Sequence, residues 1–255
     1  WLNSGNRKSV FGFAITFGLA VLIRPLAITS VLYFLIFAVI SKGGIKAFIK
    51  FARPQLKFIV LSIVIFIAIY LIQLSYWKYI TGHWFFDVYV GEHFFFKSPQ
   101  IFPFLFSFRK GVFVYIPILL FALIGMVRLF RANKELFYST MVVMMVAIYI
   151  LSSWWAWSYG ICFAMRPMVD YYAFLALPMG AGFQLFANSN KLLKGIVGSL
   201  IAGFIVLNLF QSWQYKNGLI HYDDMTQEAY FKGFFQTTKN VEWYDCLKPY
   251  NWNRR

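Results

Sequence analysis

The chain has 255 residues, of which 60% are hydrophobic and 13% charged, and its formal net charge is +15. A soluble domain is roughly 25% charged, so the composition excludes an ordinary soluble fold and favours an integral membrane protein. The basic residues lie in short clusters between long apolar blocks, which is typical of membrane topology and not of a nucleic-acid-binding surface. We therefore expect membrane lipids as partners, and no nucleic acid.

The apolar blocks predict an all-α, polytopic bundle of about seven transmembrane helices, because roughly 20 apolar residues cross a hydrocarbon core about 30 Å thick. The first block is broken at Arg24-Pro25. Proline disfavours helix at the residue before it, and arginine is costly at mid-bilayer. We interpret this block as two short helices; one long kinked helix is the alternative. The predicted spans of this transmembrane domain, 1–210, lie near 9–23, 26–40, 58–74, 112–127, 136–153, 171–187 and 196–210.

The connectors between these spans predict an orientation. Three of them are basic, which is typical of the cytoplasmic side of a membrane. The basic connectors are 41–57, 128–134 and 188–194. The segments 75–111 and 154–170 and the tail then lie outside. Every acidic residue except Glu135, and all three histidines, fall on that outer side, so the varied chemistry of the chain is expected there.

Residues 211–255 predict an extracytoplasmic tail with one short amphipathic helix. Asp224 is a candidate N-cap, with Gln227 at the N3 position of a capping box. An apolar stripe follows that would lie on the membrane surface. The stripe comprises Met225, Ala229, Tyr230 and Phe234.

The two cysteines, Cys162 and Cys246, both fall on the predicted outer side. A disulfide is compatible with such a compartment, but two free thiols are the favoured interpretation. No CxxC or HExxH spacing is present, so no metal site is predicted. His221, Asp223 and Asp224 are metal-ligand types, but helix capping accounts for Asp224 more simply.

Four cations are candidates for binding a lipid phosphate. Arg24 lies at the outer end of the broken helix pair, and its planar fork suits phosphate oxygens; snorkelling beside a helix-breaking proline is an equal alternative. Arg109 and Lys110 adjoin Gly111 at the outer end of a predicted span, where interfacial anchoring is the alternative. The candidate phosphate ligands are Arg24, Arg109, Lys110 and Arg166.

The segment 154–170 holds three tryptophans in four residues. An aromatic belt accounts for tryptophans, but not for Arg166 and Asp170, whose i,i+4 spacing suits a helical ion pair. Aromatic faces beside a carboxylate and a guanidinium suit a sugar, because rings stack on its apolar face and charged groups bond its hydroxyls. The candidate sugar or acceptor ligands are Tyr115, Trp154, Trp157, Tyr159 and Asp170.

The long outer loop contains two further acids, Asp87 and Glu92. Either is a candidate general base, because a carboxylate within reach of an acceptor hydroxyl can remove its proton. Solvation of an exposed loop is the favoured interpretation of both.

Three motifs together carry a family resemblance. They are Gly18-Leu-Ala-Val-Leu-Ile-Arg24-Pro25, Leu105-Phe-Ser-Phe-Arg-Lys-Gly-Val-Phe-Val-Tyr115-Ile-Pro117, and Trp154-Trp-Ala-Trp-Ser-Tyr-Gly160 continued through Arg166 and Asp170-Tyr-Tyr172. In this order the chain resembles the C-terminal membrane half of GT-C fold glycosyltransferases, and is most similar to bacterial members of the protein-mannosyltransferase type. It departs from that pattern at Ala156, where an acid is common, and near Ala164, where a glycine is common.

The resemblance implies a GT-C-like bundle in the bacterial cytoplasmic (inner) membrane that transfers a sugar from a polyprenyl-phosphate carrier to an extracytoplasmic acceptor. It implies no cofactor beyond the lipid-linked donor. The catalytic carboxylate of the family lies in its first outer loop, so the catalytic residue is expected upstream of Trp1. The corresponding N-terminal half, or other membrane subunits, are expected partners.

Two other functions are alternatives to the transferase. One is a non-catalytic membrane scaffold subunit of a larger envelope complex. The other is a transporter, which the nearly charge-free spans disfavour, because transporters place polar residues at mid-membrane.

Overall fold

A computed structural model of the chain describes residues 7–86, 89–239 and 241–249. Trp1 and the candidate base Asp87 lie outside the described residues. All regular structure in the described part is helical, as the composition predicts, with one isolated antiparallel bridge between Phe94 and Trp154. The chain divides into two compact units. Unit 1 holds the described residues up to Glu92 together with Lys134–Val143, and unit 2 holds His93–Asn133 and the described residues from Met144 onward.

Unit 1 is built mainly from four helices. They are α1 (Arg7–Ile23), α2 (Val31–Ser41), α3 (Ile45–Ala52) and α4 (Leu56–Thr81). The predicted break at Arg24-Pro25 is confirmed, because Arg24 is extended (φ −139°, ψ 102°) and a 3₁₀ helix, Pro25–Ser30, leads into α2. A single long kinked helix is therefore excluded. The helix α1 packs along α4.

Unit 2 begins with short helices and continues through longer ones. In chain order they are α5 (Ile101–Phe106), α6 (Val112–Tyr115), α7 (Leu120–Ala132), α8 (Lys134–Ser153), α9 (Tyr172–Ala187), α10 (Lys191–Lys216), α11 (Gln227–Gly233) and α12 (Val241–Tyr244). The first half of α8, up to Val143, is counted with unit 1. The 3₁₀ segments Pro117–Leu119 and Arg166–Tyr171 lead into α7 and α9.

Three helical stretches of the described part are long and apolar enough to cross a membrane. They are Ile45–Thr81, which contains α3 and α4, Lys134–Ser153 and Lys191–Lys216. Two shorter apolar stretches, Lys8–Ile23 and Pro25–Ser41, precede them. The chain is thus a helical protein with three candidate membrane-spanning helices, and these coincide with the predicted spans near 58–74, 136–153 and 196–210.

The predicted span 112–127 is not one continuous helix. Helix α6 ends at Tyr115, and Ile116 adopts φ −133° and ψ 63° before Pro117. Proline has no N–H to continue the helix, and its ring disfavours the helical conformation of the preceding residue. The segment therefore breaks after one turn and resumes as α7.

The long helices α7 and α9 pack closely within unit 2. Glycine permits this approach: a Cβ built on Gly125 would lie 1.6 Å from the Pro178 carbonyl oxygen, and one on Gly182 would lie 2.5 Å from the Phe121 carbonyl oxygen. The predicted span 171–187 corresponds to α9, with its first residue belonging to the preceding 3₁₀ turn.

The tail is not separate from the rest of unit 2. Helix α10 continues to Lys216, past the predicted boundary at 210. Met225, Ala229 and Tyr230 are buried, and they form a core cluster with Tyr115 and residues of the C-terminal segment. The apolar stripe of the tail helix therefore faces protein, and its predicted position on the membrane surface is wrong.

Candidate functional site

A polar cluster in unit 2 joins three segments that are far apart in the sequence. We call it the Arg109 cluster and define it by Arg109, Lys110, Ser158, His221, Asp223 and Asp224. Its cations lie in the turn between α5 and α6, its serine lies in the segment after α8, and its acids precede α11. The cluster therefore collects side chains from loops, where binding residues are commonly placed.

Lys110 is the most enclosed charged residue of the cluster, with 2% of its surface exposed. Its Nζ donates to the carbonyl oxygen of Gly160 at 2.9 Å and to that of Cys162, and lies 3.6 Å from the Cys162 Sγ. Burial lowers the pKa of this ammonium, and the nearby Cys162 and Asp223 oppose the shift. A buried ammonium is costly unless hydrogen-bond acceptors surround it. The loop after α8 supplies these acceptors, so Lys110 fixes this loop to the turn before α6.

The backbone around the Lys110 acceptors is unusual. Tyr159 (φ 57°) and Gly160 (φ 56°) are consecutive left-handed residues, and Ala164 (φ 49°) is a third. Left-handed backbone is disfavoured for residues with a Cβ and is retained where surrounding contacts require it. The turn directs two carbonyl oxygens at one ammonium, which accounts for the conformation. A glycine in place of Ala164 would adopt this backbone without the cost of a Cβ.

Arg109 connects the turn before α6 to the tail. Its guanidinium donates to the carbonyl oxygens of Asp223 and, at 2.8 Å, Lys248. It also lies 3.8 Å from the Asp223 Oδ1 and 3.6 Å from the Asp224 Oδ1. The side chain is only 10% exposed. Arg109 therefore cross-links the turn before α6 to the tail.

The two acids of the cluster have further partners. Ser158 Oγ donates to the Asp223 Oδ1 at 2.7 Å, so Asp223 joins the loop after α8 to the tail. His221 Nδ1 accepts from the backbone N–H groups of Asp223 (3.3 Å) and Asp224 (2.9 Å), and lies 3.6 Å from the Asp224 Oδ2. No group of three metal-ligand side chains is found in the part of the chain that the structure describes.

Asp224 is not the N-cap of the tail helix. The cap of α11 is Thr226, whose Oγ1 accepts from the Ala229 N–H at 3.1 Å and donates to the Cys246 carbonyl oxygen at 2.7 Å. Asp224 instead faces Arg109 and His221. Both cysteines are free, as predicted, and both are buried.

An aromatic layer supports the cluster. The Tyr115 ring packs edge-on against Phe163 and Tyr230, at 5.6 and 5.8 Å between centroids, and its hydroxyl donates to the Phe108 carbonyl oxygen at 2.7 Å. Tyr115 is 1% exposed. It therefore positions the Arg109 turn over the core and offers little surface to a sugar.

The remaining predicted site residues differ in exposure. Trp157 is 2% exposed and Trp154 packs on Phe94, with 4.7 Å between ring centroids. The Tyr159 hydroxyl donates to the Leu151 carbonyl oxygen. Arg166 is exposed, and Asp170 is half-buried. Both belong to the 3₁₀ helix Arg166–Tyr171, in which positions i and i+4 lie roughly 120° apart around the axis, so the α-helical spacing argument does not apply to this pair.

Unit 2 thus holds every candidate phosphate or sugar ligand except Arg24, whereas the candidate base Glu92 belongs to unit 1. Arg24 is exposed in unit 1, between α1 and α2. Of the three candidate phosphate ligands in unit 2, Arg109 and Lys110 are engaged by protein acceptors, and Arg166 is exposed. An exposed arginine side chain is chemically suited to bind a phosphate or a sugar hydroxyl.

The sequence did not point to Ser158, Asp223 or the tail carbonyl oxygens as partners of Arg109 and Lys110. One signal was present: the chain has only nine acids, and two of them are the adjacent pair Asp223-Asp224. Adjacent cations at Arg109-Lys110 and adjacent acids in a chain so poor in acids are natural partners. No composition signal identifies the carbonyl oxygens, because every residue carries one.

No family model matches the chain, and no curated protein or solved structure is significantly similar to it.

Proposed function

We propose that the chain is the membrane part of a glycosyltransferase that uses a polyprenyl-phosphate-linked sugar, with a GT-C-like bundle of about seven spans. The observation that carries the proposal is a contact between two of the three motifs on which the family resemblance rests, both of them in unit 2. Lys110, from the first of these two motifs, bonds the carbonyl oxygens of Gly160 and Cys162, in and just after the Trp154–Gly160 motif.

The contacts of unit 2 support more crossings than the three long helices alone provide. In the proposed topology the segments before α6 and after α8 share one side of the membrane, and the contact of Lys110 with Cys162 supports this. If α8 crosses, a second crossing must lie between them, because the chain has to return. The segment Val112–Ala132, formed by α6, a 3₁₀ turn and α7, has the required length of about 20 residues.

The same reasoning applies to the end of unit 2. In the proposed topology the segments before α9 and after α10 also share one side, and the hydrogen bond from Ser158 to Asp223 supports this. If α10 crosses, the stretch from Arg166 to Ala187 must cross too. The close packing of α7 on α9 through Gly125 and Gly182 fits two neighbouring crossings, since small residues permit close helix approach in membranes.

In the proposed site, Arg166 contacts the lipid phosphate, and Trp154, Tyr159 and Asp170 flank the sugar or the acceptor. Lys110 holds the loop that carries these residues, and Arg109 fixes the same turn to the tail. Cations near the leaving phosphate stabilise the charge that develops as the sugar departs, an effect that often dominates catalysis. No residue of the chain is assigned as the base.

Binding of undecaprenyl phosphate to the purified chain tests the proposal, with the uncharged alcohol undecaprenol as the comparison ligand. We expect the phosphate to bind at least about tenfold more tightly, because a charge-assisted hydrogen bond contributes roughly 1.5–3 kcal/mol. Arg166→Gln should remove most of that preference, and Arg131→Gln, which removes an exposed arginine at the end of α7, should retain it. Equal binding of both ligands by the wild-type chain would contradict the proposal.

A scaffold subunit is the second candidate. The observation that favours it is the saturation of Arg109 and Lys110 by protein acceptors, which leaves two of the four predicted phosphate ligands engaged. Sugar transfer in membranes that contain the complete protein separates the two candidates. The transferase predicts that Arg166→Gln lowers transfer while the protein is still inserted, whereas a scaffold predicts unchanged transfer.

A further inference from the structure

A lysine, a glutamate and a cysteine meet where α11 packs on the C-terminal segment of unit 2. The Lys232 Nζ lies 3.2 Å from the Cys246 Sγ and 3.1 Å from the Glu228 Oε1. Lys232 and Glu228 are one turn apart on α11, and Cys246 follows α12. We call this group the Cys246 cluster and define it by these three residues. None of them belongs to the Arg109 cluster or to the proposed sugar site.

The Cys246 sulfur has a hydrogen-bond donor on one side and an acceptor on the other. The Lys232 ammonium donates to it, and the Sγ donates to the Glu242 carbonyl oxygen at 3.3 Å. Hydrogen bonds with Cys246 and with Glu228 raise the pKa of Lys232 above its usual value, so this side chain stays charged at physiological pH. The thiolate is the reactive form of a cysteine, and a neighbouring ammonium stabilises its negative charge.

Glu228 acts on the same sulfur in the opposite direction. Its pKa is lowered, first by the hydrogen bond from Lys232 and then by one from Cys246. A carboxylate beside a thiol disfavours the thiolate, because the two negative charges repel each other. Lys232 and Glu228 therefore have opposite effects on the reactivity of Cys246, and this difference in sign can be tested.

The second cysteine of the chain, Cys162, also lies near a lysine, but in a closed environment. The Lys110 Nζ is 3.6 Å from the Cys162 Sγ, donates to two backbone carbonyl oxygens and belongs to a residue that is 2% exposed. The Lys232 side chain is 46% exposed. Both cysteines are buried. A small reagent therefore reaches Cys246 when one flexible surface side chain moves, and reaches Cys162 only when the bonded loop opens.

Cys246 also lies at a structurally sensitive point of the tail. Its carbonyl oxygen accepts from Thr226, the N-cap of α11, and its side chain belongs to the core cluster that contains Tyr230. Two residues later, the carbonyl oxygen of Lys248 accepts from Arg109. A polar atom added to the Cys246 sulfur would therefore enter the contact between α11 and the segment that binds Arg109.

We propose that Cys246 is a reversible oxidation site for hydroperoxides, at which Lys232 favours conversion of the thiol to a sulfenic acid. The sulfur attacks one peroxide oxygen, so that an S–O bond forms as the O–O bond breaks. The sulfur loses two electrons, and the departing oxygen gains them and leaves with the thiol proton as water or an alcohol. Two molecules of a small thiol reverse the change and release water and their own disulfide. The proposal does not depend on the transferase function.

Dimedone trapping of sulfenic acid in the detergent-purified full chain tests this site, with hydrogen peroxide as the oxidant. The variants Cys162→Ala and Cys246→Ala each retain one thiol, so the two environments can be compared directly. We expect Cys162→Ala, which keeps Cys246, to be labelled at least about tenfold faster, because exposure and a neighbouring cation favour oxidation. Equal labelling of the two variants would refute the site.

Three further variants in the Cys162→Ala background test the role of the ammonium. Lys232→Met should slow labelling at least about fivefold, and Glu228→Gln should accelerate it, because their charges act in opposite directions. Lys239→Met removes an exposed lysine from the same tail and should leave the rate unchanged. Loosening of the tail would accelerate labelling in both cluster variants, so a faster rate in Lys232→Met would overturn the proposal. Equal slowing by Lys239→Met would show a net-charge effect and would overturn it as well.

Reversibility is tested on the tryptic peptide 240–248, which contains Cys246 and no methionine. Brief peroxide treatment without dimedone should add about 16 Da to this peptide, and dithiothreitol should remove the gain. A gain of about 32 Da that dithiothreitol does not reverse would show a sulfinic acid and would contradict a reversible site.

Discussion

Lys110 is a cation whose surroundings consist of carbonyl oxygens and a thiol, with almost no solvent. Burying an ammonium is costly unless its protons are satisfied, and removing it leaves its acceptors without donors. The residue therefore contributes to stability through the loop it holds. The turn before α6 therefore contacts two other segments of unit 2: Lys110 bonds the loop after α8, and Arg109 bonds the tail.

Replacing Lys110 with methionine should destabilise unit 2 by about 1–3 kcal/mol, because the buried Cys162 and partly buried Gly160 carbonyl oxygens lose their donor. Thermal unfolding of the detergent-purified protein measures this loss. Lys97→Met is the control, because Lys97 is exposed in the same unit. Equal melting temperatures for both variants would show that the Lys110 contacts contribute nothing to stability.

The stability of the protein should also depend on pH through Lys110. Burial lowers its folded-state pKa below 10.5, so between that lowered value and 10.5 the unfolded chain binds the extra proton. Stability then rises with pH in this window. As the pH increases toward 10.5, the melting temperature of the wild-type chain should rise relative to that of Lys110→Met. A constant difference would contradict the lowered pKa.

Asp223 joins Ser158 and Arg109, so Asp223→Ala should loosen the tail. We expect a loss of about 1–3 kcal/mol, since the Ser158 hydroxyl loses its acceptor and the Arg109 guanidinium loses a carboxylate 3.8 Å away. The Arg109 bond to the backbone carbonyl oxygen of residue 223 remains. Asp245→Ala removes an exposed acid from the same tail and should change stability by less than about 0.5 kcal/mol. Limited proteolysis of the tail provides the readout, and equal cleavage rates would refute the cross-link.

At this scale the sequence indicated the positions but not the partners. Adjacent cations at Arg109-Lys110 were recognisable as a site because they end an apolar block. Their acceptors are largely backbone carbonyl oxygens, which no residue type reveals. The left-handed turn at Tyr159 was also hidden, because tyrosine has no preference for that conformation.

At the scale of helices, the packing of α7 on α9 depends on two glycines. A Cβ at Gly125 would lie 1.6 Å from backbone of α9, and a backbone atom cannot move aside as a side chain can. Gly125→Ala should therefore separate the helices and cost at least about 1–3 kcal/mol. Gly180→Ala is the control, since a Cβ added at Gly180 would meet nothing within 4 Å. Thermal unfolding compares the two, and equal stability would refute the close approach.

The helices illustrate which sequence signals suffice. Long apolar blocks located α4, α8 and α10, and a proline after an arginine located the break before α2. The apolar block 112–127 predicted one continuous helix, which is wrong. Its composition is uniformly apolar, but α6 ends before Pro117. The N-cap of α11 was placed on Asp224 instead of Thr226 because both residue types favour that position, and only the tertiary contact with Arg109 separates them.

At the scale of the whole molecule, composition predicted a helical membrane protein, and the helices fit that prediction. The number of membrane crossings also depends on which loops contact each other in the folded protein. Three helices have the length and hydropathy of a span. The proposed topology adds further crossings, because with three alone the Lys110–Cys162 and Ser158–Asp223 contacts would join segments on opposite sides of the membrane. Composition could not supply this constraint, because it contains no information about which loops meet.

The accessibility of single cysteines in intact cells tests this topology most directly. In a Cys162→Ala, Cys246→Ala background, cysteines replace exposed residues, and a membrane-impermeant maleimide labels those outside. The outer probes are Lys97→Cys, Ile161→Cys and Asp245→Cys; the inner probes are Lys50→Cys, Arg131→Cys and Lys191→Cys. We predict that all three outer probes are labelled in intact cells and that the inner probes are labelled only after permeabilisation. Labelling of Lys97→Cys and Ile161→Cys from opposite sides, the pattern expected if only the three long helices cross, would contradict the account.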